Sequence, residues 1–127
     1  MAFSGGGAIV ALAPNELVDA FTGDAVSGDE QGMVFALPPR PFGQGPARRV
    51  TWEMTPGAVA PATLDLDFIA GFSVDASGDI VNPTQLDTHN AVSYYSRSVD
   101  VGNYHFLGLR KRNHTGAGST FTGRLSL

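Results

Sequence analysis

Apolar and polar residues alternate along several short stretches of the chain. In the clearest of them, residues 50–54, the apolar Val50, Trp52 and Met54 are separated by polar residues. A period of two with one polar face is typical of a half-buried antiparallel strand. Strands of this kind are predicted at residues 50–54, 63–68 and 120–127, a shorter one at 91–96, and a central strand that is apolar on both faces at 104–110.

Residues typical of turns separate these predicted strands. The intervals contain the segments TPGAVAP, DASGD, NPTQ, DVGN and NHTGAGS, and the whole chain has 16 glycines and 8 prolines. Gly, Pro, Asn, Asp and Ser favour turns and interrupt longer regular elements. Five or more short strands joined by such turns predict an all-β fold, an antiparallel β-sandwich of jelly-roll type formed by residues 48–127.

Residues 1–47 differ from the rest of the chain in charge. They contain five acidic residues and one basic residue, Arg40, which gives a net charge of 1 − 5 = −4. Residues 48–127 hold the remaining 12 − 5 = 7 acidic and 8 − 1 = 7 basic residues, so the first segment carries the whole net charge. Because such an asymmetry indicates a segment of a different kind, we predict that residues 1–47 form an extended N-terminal arm.

The predicted arm is apolar enough to need a surface that buries it. One or two turns of helix are predicted near residues 15–21, and four prolines favour an extended conformation over residues 38–47. The apolar composition argues against a solvated tail. The residues predicted to contact a partner are Phe3, Ile9, Val10, Leu12, Phe35 and Phe42.

The composition excludes several kinds of site. The chain has no cysteine, which excludes disulfides and thiolate metal sites. It also lacks the ~20-residue apolar run that a transmembrane helix needs, so we expect no membrane partner. The N-terminal sequence MAFSGGGAIVAL has no basic residue before its apolar run, so we expect synthesis in the cytoplasm without a cleaved secretory signal.

The segment GFSVDASGDIV, residues 71–81, is the clearest candidate for a cation site. Asp75, Ser77 and Asp79 alternate along it, as oxygen ligands do in calcium loops. An EF-hand would require Glu at the twelfth position of the loop, where this chain has Leu86. The alternative is the tip of a β-hairpin, where Asp, Ser and Gly are favoured because they form local backbone hydrogen bonds or tolerate positive φ. We predict the hairpin and expect no bound metal.

Three histidines, His89, His105 and His114, are the candidate general bases. Their spacing includes no HxH or HxxxH pair for zinc. A Ser/His/Asp combination can be drawn through His89 and Asp87, but the chain lacks a G-x-S-x-G nucleophile motif. We place His105 in the central strand and the other two in turns, and we predict no catalytic residue, no cofactor and no enzymatic activity.

One basic cluster, Arg110, Lys111 and Arg112, has several interpretations. Successive strand residues alternate faces, so the two arginines would share one side of a strand and Lys111 would lie on the other. The cluster could contact phosphate, but the chain is acidic overall and nucleic-acid binders usually show an extended basic face. We therefore expect no nucleic-acid partner, and either a strand end that leads into a solvated turn or an ion pair with an acidic patch on a neighbouring subunit.

Residues 48–127 resemble a β-sandwich that recurs in structural proteins of tailed phages. The resemblance rests on the order of strand and turn residues: an alternating strand with Trp, a Pro-x-Thr strand, a Ser/Asp/Gly hairpin, a leucine, an aromatic strand and a closing Gly/Ser/Thr hairpin. The matching residues are Val50, Thr51, Trp52, Pro61, Thr63, Leu64, Leu66, Ser73, Asp75, Gly78, Leu86, Tyr104, Phe106, Leu107, Gly116, Gly118, Ser119, Thr120 and Thr122.

Within that group, a compact β-module with an extended N-terminal arm is similar to capsid decoration, or cement, proteins. The resemblance implies a non-enzymatic virion protein on the capsid surface that binds the major capsid protein and associates with its own copies, as a trimer. The alternative is a carbohydrate-binding or adhesive jelly-roll module of a head fibre, tail or baseplate, with aromatic residues such as Trp52 as a stacking platform. Against that alternative, Trp52 shares a strand face with apolar residues, which predicts a core position. A third alternative is a hydrolase fragment without an identifiable site.

Overall fold

The structure is a computed structural model that describes residues 9–11, 17–23, 30–37, 48–116 and 118–126. Within these ranges the chain forms strands and their connections, and no helix that could span a membrane is present there. The strands are β1 (Ile9–Ala11), β2 (Leu17–Gly23), β3 (Glu30–Ala36), β4 (Arg48–Pro56), β5 (Thr63–Gly71), β6 (Thr84–His89), β7 (Tyr95–Gly102), β8 (Phe106–Thr115) and β9 (Phe121–Ser126).

The strands form two sheets that pack face to face. The five-stranded sheet has the order β1-β3-β8-β5-β6, and the four-stranded sheet has the order β2-β9-β4-β7. Neighbouring strands are antiparallel, except that β1 and β3 are parallel. The predicted all-β antiparallel sandwich is confirmed, whereas its jelly-roll type stays a prediction.

The core lies between the two sheets and follows the alternation of the sequence. Val50, Trp52 and Met54 of β4 are fully buried, and they face the alternate residues Leu66 and Phe68 of β5. The indole of Trp52 lies against the ring of Phe68, with 6.0 Å between ring centroids. The prediction that Trp52 belongs to the core is therefore confirmed, and its ring is not available as a stacking platform.

The predicted strands differ from the observed ones mainly at their ends. β8 lies at the centre of the five-stranded sheet, as predicted for residues 104–110, but it begins at Phe106 and continues to Thr115. The strand expected at 91–96 is instead β7, because pairing with β4 begins only where Tyr95 lies opposite Met54. β6 has no counterpart in the prediction, since its sequence TQLDTH alternates too weakly to show a strand.

Two predictions for residues 1–47 are wrong over the described ranges. The helix expected near residues 15–21 is the strand β2, because antiparallel pairing with β9 supplies the backbone hydrogen bonds that a short helix would otherwise have to make. The described parts of the predicted arm are β1, β2 and β3, and they belong to the two sheets rather than to a segment outside the sandwich. The proline-rich residues 38–47 lie outside the described residues.

Candidate functional site: the outer face of the five-stranded sheet

β5 and β8 place four charged residues on the outer face of the five-stranded sheet. In β5, Leu64, Leu66 and Phe68 point into the core, so Asp65 and Asp67 point outward. β8 lies beside β5 in antiparallel register, with Asp67 opposite Arg110 and Asp65 opposite Arg112. The outer face therefore holds two acidic and two basic side chains, all on the strands at the centre of the sheet.

Asp67 is the centre of this group, although it points away from the core. Both arginines bind its carboxylate: Arg110 Nε and Nη2 donate to Oδ2 at 3.1 and 2.9 Å, and Arg112 donates from Nε to Oδ2 at 2.7 Å and from Nη2 to Oδ1 at 2.9 Å. Thr88 Oγ1 of β6 adds a fifth hydrogen bond, to Oδ1, at 2.8 Å. The side chain of Asp67 is 0% exposed, while those of Arg110 and Arg112 are 30% and 36% exposed. We call Asp67, Arg110, Arg112 and Thr88 the Asp67 cluster.

The environment of Asp67 sets its protonation state. Burial by itself would raise the pKa of the carboxyl group, but hydrogen bonds from Arg112, Thr88 and Arg110, together with the charge of Arg112, outweigh it. The pKa of Asp67 is therefore lowered from its ordinary value. At neutral pH the carboxylate is ionised and forms ion pairs with both guanidinium groups.

A hairpin covers the apolar end of the same face. Residues 72–81 fold back over the sheet, and Val74 bridges to Ile80. Ile80 packs with Ile69 of β5 and Val34 of β3 in a second apolar cluster on the outside of the sheet. We call residues 72–81 the flap. Ile69 is fully buried although its side chain points away from the main core.

The tip of the flap is the segment that the sequence offered as a cation site. Asp75 Oδ1 accepts hydrogen bonds from the backbone N–H groups of Ser77 and Asp79, at 2.9 and 3.0 Å, and Gly78 adopts a φ of 83°. The predicted hairpin tip is confirmed. In the described ranges no three His, Cys, Asp or Glu side chains are grouped so that they could hold a metal ion. Asp79 Oδ1 is buried there without a hydrogen-bond partner.

Three aromatic rings meet at the base of the flap. Phe72 lies against Tyr104, with 4.9 Å between ring centroids, and against His105 in an edge-on contact at 5.4 Å. Phe72 is 58% exposed, so these rings form a surface patch. His105 is exposed just before β8 begins, and its predicted position inside the central strand is wrong because β8 starts one residue later.

Lys111 and His114 lie on the opposite side of β8 from the arginines. The predicted alternation of the basic residues is confirmed, since Lys111 is fully buried toward the core. His114 is also buried, and its Nε2 lies 3.0 Å from Ser119 Oγ, which itself donates to the Gly116 carbonyl oxygen. His114 therefore donates from Nε2, and Nδ1 accepts from Lys111 Nζ at 3.4 Å. His114 was predicted to lie in a turn, and the structure places it instead in β8 as part of this buried network.

Asp87 of β6 connects the two sheets at one side of the sandwich. Its Oδ2 accepts hydrogen bonds from Trp52 Nε1 at 2.9 Å and from the Tyr95 hydroxyl at 2.8 Å, and Arg97 lies 3.3 Å from Oδ1. Burial, followed by the hydrogen bond to Asp87, raises the pKa of Tyr95. His89 stacks on Tyr95 with 4.3 Å between centroids. The Asp87 and His89 pair that suggested a catalytic combination is therefore part of this inter-sheet contact.

The residues predicted to contact a partner fall into three groups. Ile9 and Val10 lie in β1, at the edge of the five-stranded sheet. Phe35 is fully buried in the core between the sheets, so its assignment to a partner surface is wrong; β3 pairs with β8 and turns this ring inward. The other three residues, Phe3, Leu12 and Phe42, lie outside the described residues.

The Asp67 cluster itself was missed by the sequence analysis. The signal was present as two acids and two arginines, each pair spaced by two residues in strands: Asp65 with Asp67, and Arg110 with Arg112. The arginines were expected either to lead into a solvated turn or to pair with another subunit, but they pair within the chain. The partner strands are 43 residues apart at the Arg110 to Asp67 bond, and only the sheet order places them side by side.

Comparison with known proteins gives one distant structural likeness. No protein-family model matches the sequence, and no curated protein matches it. Among solved structures, the chain is similar to the crystal structure of the SPBc2 prophage-derived protein YomS, with 13% sequence identity and a TM-score of 0.45. The similarity covers 91% of this chain and 99% of the YomS chain. A likeness of this size carries no conclusion about function.

Proposed function

We propose that the protein is a non-enzymatic structural component of a tailed-phage virion, specifically a capsid decoration, or cement, protein. In this role it binds the major capsid protein on the surface of the head and associates with its own copies, as a trimer. Two features support the proposal: the strand and turn residues of 48–127 resemble those of phage structural sandwiches, and the chain folds as a two-sheet sandwich.

The observation that carries the proposal is the position of β1. This strand has three residues, pairs with β3 in parallel and forms one edge of the five-stranded sheet. An edge strand presents backbone N–H and C=O groups on its free side, where a strand of another chain can add. Ile9 and Val10, which the sequence assigned to a partner surface, are two of its three residues. This edge position of Ile9 and Val10 supports the proposed contact with a neighbouring chain.

In the proposed role the protein stabilises the assembled capsid by mass action. A protein that binds the assembled head and not its separated subunits stabilises the assembly by an amount that grows with its concentration. A stable contact of this kind buries on the order of 1,200–2,000 Å² in total. Phe3, Ile9, Val10, Leu12 and Phe42 remain as proposed contact residues, and Phe35 is removed because it belongs to the core.

The test uses the full chain and a variant that lacks residues 1–11. Heads of the phage that encodes the chain, prepared without the protein, are incubated with each form and sedimented. We expect the full chain to sediment with the heads. We expect the truncated chain to unfold cooperatively on heating, because the described core is supplied by other strands, but to bind at least about tenfold more weakly, which corresponds to about 1.4 kcal/mol.

The control for the truncation is a substitution that leaves the chain at full length. Val59→Ser changes an apolar side chain that is 54% exposed and lies far along the chain from the N-terminus, so it should leave sedimentation unchanged. Equal binding by the truncated and full chains would remove the N-terminal segment from the interface. Failure of the full chain to bind heads, together with its absence from purified virions by mass spectrometry, would overturn the proposed role.

A further inference from the structure

A groove of about 330 Å³ opens at the end of the five-stranded sheet where β5 begins. One wall is the first part of β5, with Thr63 and Asp65, and the opposite wall is the connection from β6 to β7, with Asn90 and Val92. Asn113 of β8 completes the lining. The groove lies at the opposite end of β5 from the flap, and no function described above uses it.

The groove exists because β5 extends beyond its neighbour. The pairing of β5 with β6 ends where Leu66 lies opposite His89, so the first residues of β5 have no strand beside them on that side. After His89 the chain leaves the sheet and crosses to β7 in the other sheet. The gap between the start of β5 and this crossing segment is the groove.

The polar wall of the groove is held in place by internal hydrogen bonds. Thr63 Oγ1 donates to the Asn113 carbonyl oxygen at 2.7 Å and lies 2.6 Å from Thr115 Oγ1. Asn113 adopts a φ of 53°, a left-handed conformation that asparagine tolerates better than most residues. On the other wall, the carboxamide of Asn90 lies 3.0 Å from Thr88 Oγ1, which holds this side chain in place. A wall that is already ordered loses little entropy when a ligand binds.

The lining selects a neutral ligand that carries hydroxyl groups. Asp65 supplies carboxylate acceptors, and the side chain of Asn90 supplies an amide donor. An anion would lie against Asp65, and the guanidinium of Arg112 already lies 4.0 Å from its carboxylate, which disfavours a cation at the same place. Ala91 and Val92 add apolar contact for C–H groups. Hydroxyl and C–H groups alternate around a sugar ring, and the groove is within the size range of small-molecule pockets.

We propose that this groove binds one neutral sugar residue, with Asp65 accepting hydrogen bonds from its hydroxyl groups and Asn90 donating to its oxygens. This binding is separate from the contact of β1 with a capsid, so either proposal can fail without the other. The bound sugar can be a free monosaccharide or the terminal residue of a larger glycan, because both present the same ring.

The experiment measures binding of methyl glycosides to the full chain by saturation-transfer NMR. The probes are the methyl glycosides of glucose, galactose, mannose and N-acetylglucosamine at millimolar concentrations. We expect transfer to at least one of them. Asp65→Asn and Asn90→Ala should each weaken binding by about tenfold, the loss expected when a hydrogen bond that involves a charged or amide group is removed. Ser98→Ala, on the outer face of the four-stranded sheet, should leave it unchanged.

A second measurement distinguishes the two sources of the sugar. The glycoside that binds is also presented as the terminal residue of an immobilised oligosaccharide, and we expect the same two variants to weaken both kinds of binding. Thermal unfolding checks that each variant is folded, and Asn90→Ala decides the outcome if Asp65→Asn unfolds. Absence of transfer to all four glycosides, or binding that neither variant weakens, would overturn the proposal.

Discussion

The outer faces of the two sheets are formed by similar alternating strands, yet they differ in how much of their surface is buried. On the five-stranded sheet, Asp67 and Ile69 point away from the core and are both 0% exposed. On the four-stranded sheet, the outward residues Thr51, Glu53 and Arg124 all remain partly exposed. The same period of two therefore leads to a covered face on one side of the sandwich and a solvated face on the other.

Side chains and a hairpin of the five-stranded sheet itself cover its outer face. Arg110 and Arg112 lie across Asp67 in the middle of the sheet, and the flap lies over Ile69 at one end. A glycine precedes the flap at position 71, where a Cβ would collide with the Ile80 side chain. The face away from the core therefore contributes a second set of buried contacts, and the stability of the sandwich depends on it.

On the outer face of the four-stranded sheet, the contacts between described side chains include exposed polar ones. Thr51 Oγ1 and Ser98 Oγ lie 2.7 Å apart across β4 and β7, and the Tyr94 hydroxyl donates to Glu53 Oε2 at 2.7 Å. This hydrogen bond to Glu53 raises the pKa of Tyr94. Because water competes for groups of this kind, each contact should add little to the free energy of unfolding.

Replacing an acidic residue is expected to give the largest difference in stability loss between the two faces. Asp67→Ala should lower the free energy of unfolding by roughly 3 kcal/mol, the lower part of the range for a broken buried ion pair, because both arginines stay partly exposed. Glu53→Ala, the matched change on the other face, should lower it by less than about 1 kcal/mol. Urea unfolding at neutral pH measures both, and equal losses would show that the two faces do not differ in this way.

For apolar residues, the difference in stability loss between a buried and an exposed position is expected to be slightly smaller. Ile69→Ala should cost about 2 kcal/mol, near the low end for a buried aliphatic residue, because the flap can close partly over the space. Val59→Ala, at a position that is 54% exposed, should change the stability by no more than about 0.5 kcal/mol. If Ile69→Ala were as mild as its control, the flap would not bury Ile69 in solution.

The pH dependence of stability should come from the covered face. Because the folded-state pKa of Asp67 is lowered, the unfolded chain binds its proton first, and the stability from Asp67 is present above roughly pH 4 and is lost as the pH falls through the folded-state pKa. Asp67→Asn cannot titrate, so its free energy of unfolding should fall less steeply between neutral and acidic pH than that of the unmodified chain. Urea unfolding at a series of pH values measures this. The prediction would be contradicted if the free energies of unfolding of the two proteins changed with pH by the same amount.

The smallest effect is expected at the tip of the flap. Asp75→Ala removes two hydrogen bonds from a carboxylate to backbone N–H groups and should cost about 1 kcal/mol. The loss should appear locally, as faster hydrogen exchange of the Val81 N–H that is bonded to the Ser73 carbonyl oxygen. Ser77→Ala keeps both backbone donors and serves as the control. Unchanged exchange in Asp75→Ala would show that these bonds do not hold the flap closed.

Several parts of the molecule could be predicted because they depend on neighbours in the sequence. The alternation around Trp52 predicted β4 and its buried face, and the Asp and Gly residues of 75–78 predicted the tip of the flap. The opposite directions of Arg110 and Lys111 follow from the pleat of any strand. In each case the deciding interaction lies within a few residues along the chain.

The failed predictions concern segments whose partners are distant in the sequence. β2 was expected as a helix because its local pattern contains no information about β9, with which it pairs. Phe35 was assigned to a partner because the sequence does not show that β3 lies between β1 and β8. The signal for the Asp67 cluster was present in the spacing of the acids and of the arginines, but the sequence does not show which strands are adjacent.

The sequence alone therefore determined the all-β class, the inward residues of the strands around Trp52 and the hairpin at Asp75, because local alternation and turn preferences fix them. The tertiary structure decided that Asp67 and Ile69 are buried on an outward face, since only the order of strands brings Arg110 and the flap over them. It also decided the groove beside Asp65, which exists because the first residues of β5 extend beyond the end of β6, where Leu66 lies opposite His89. Burial at these positions depends on contacts across the sheet, and the alternation of the sequence gives only the direction of a side chain.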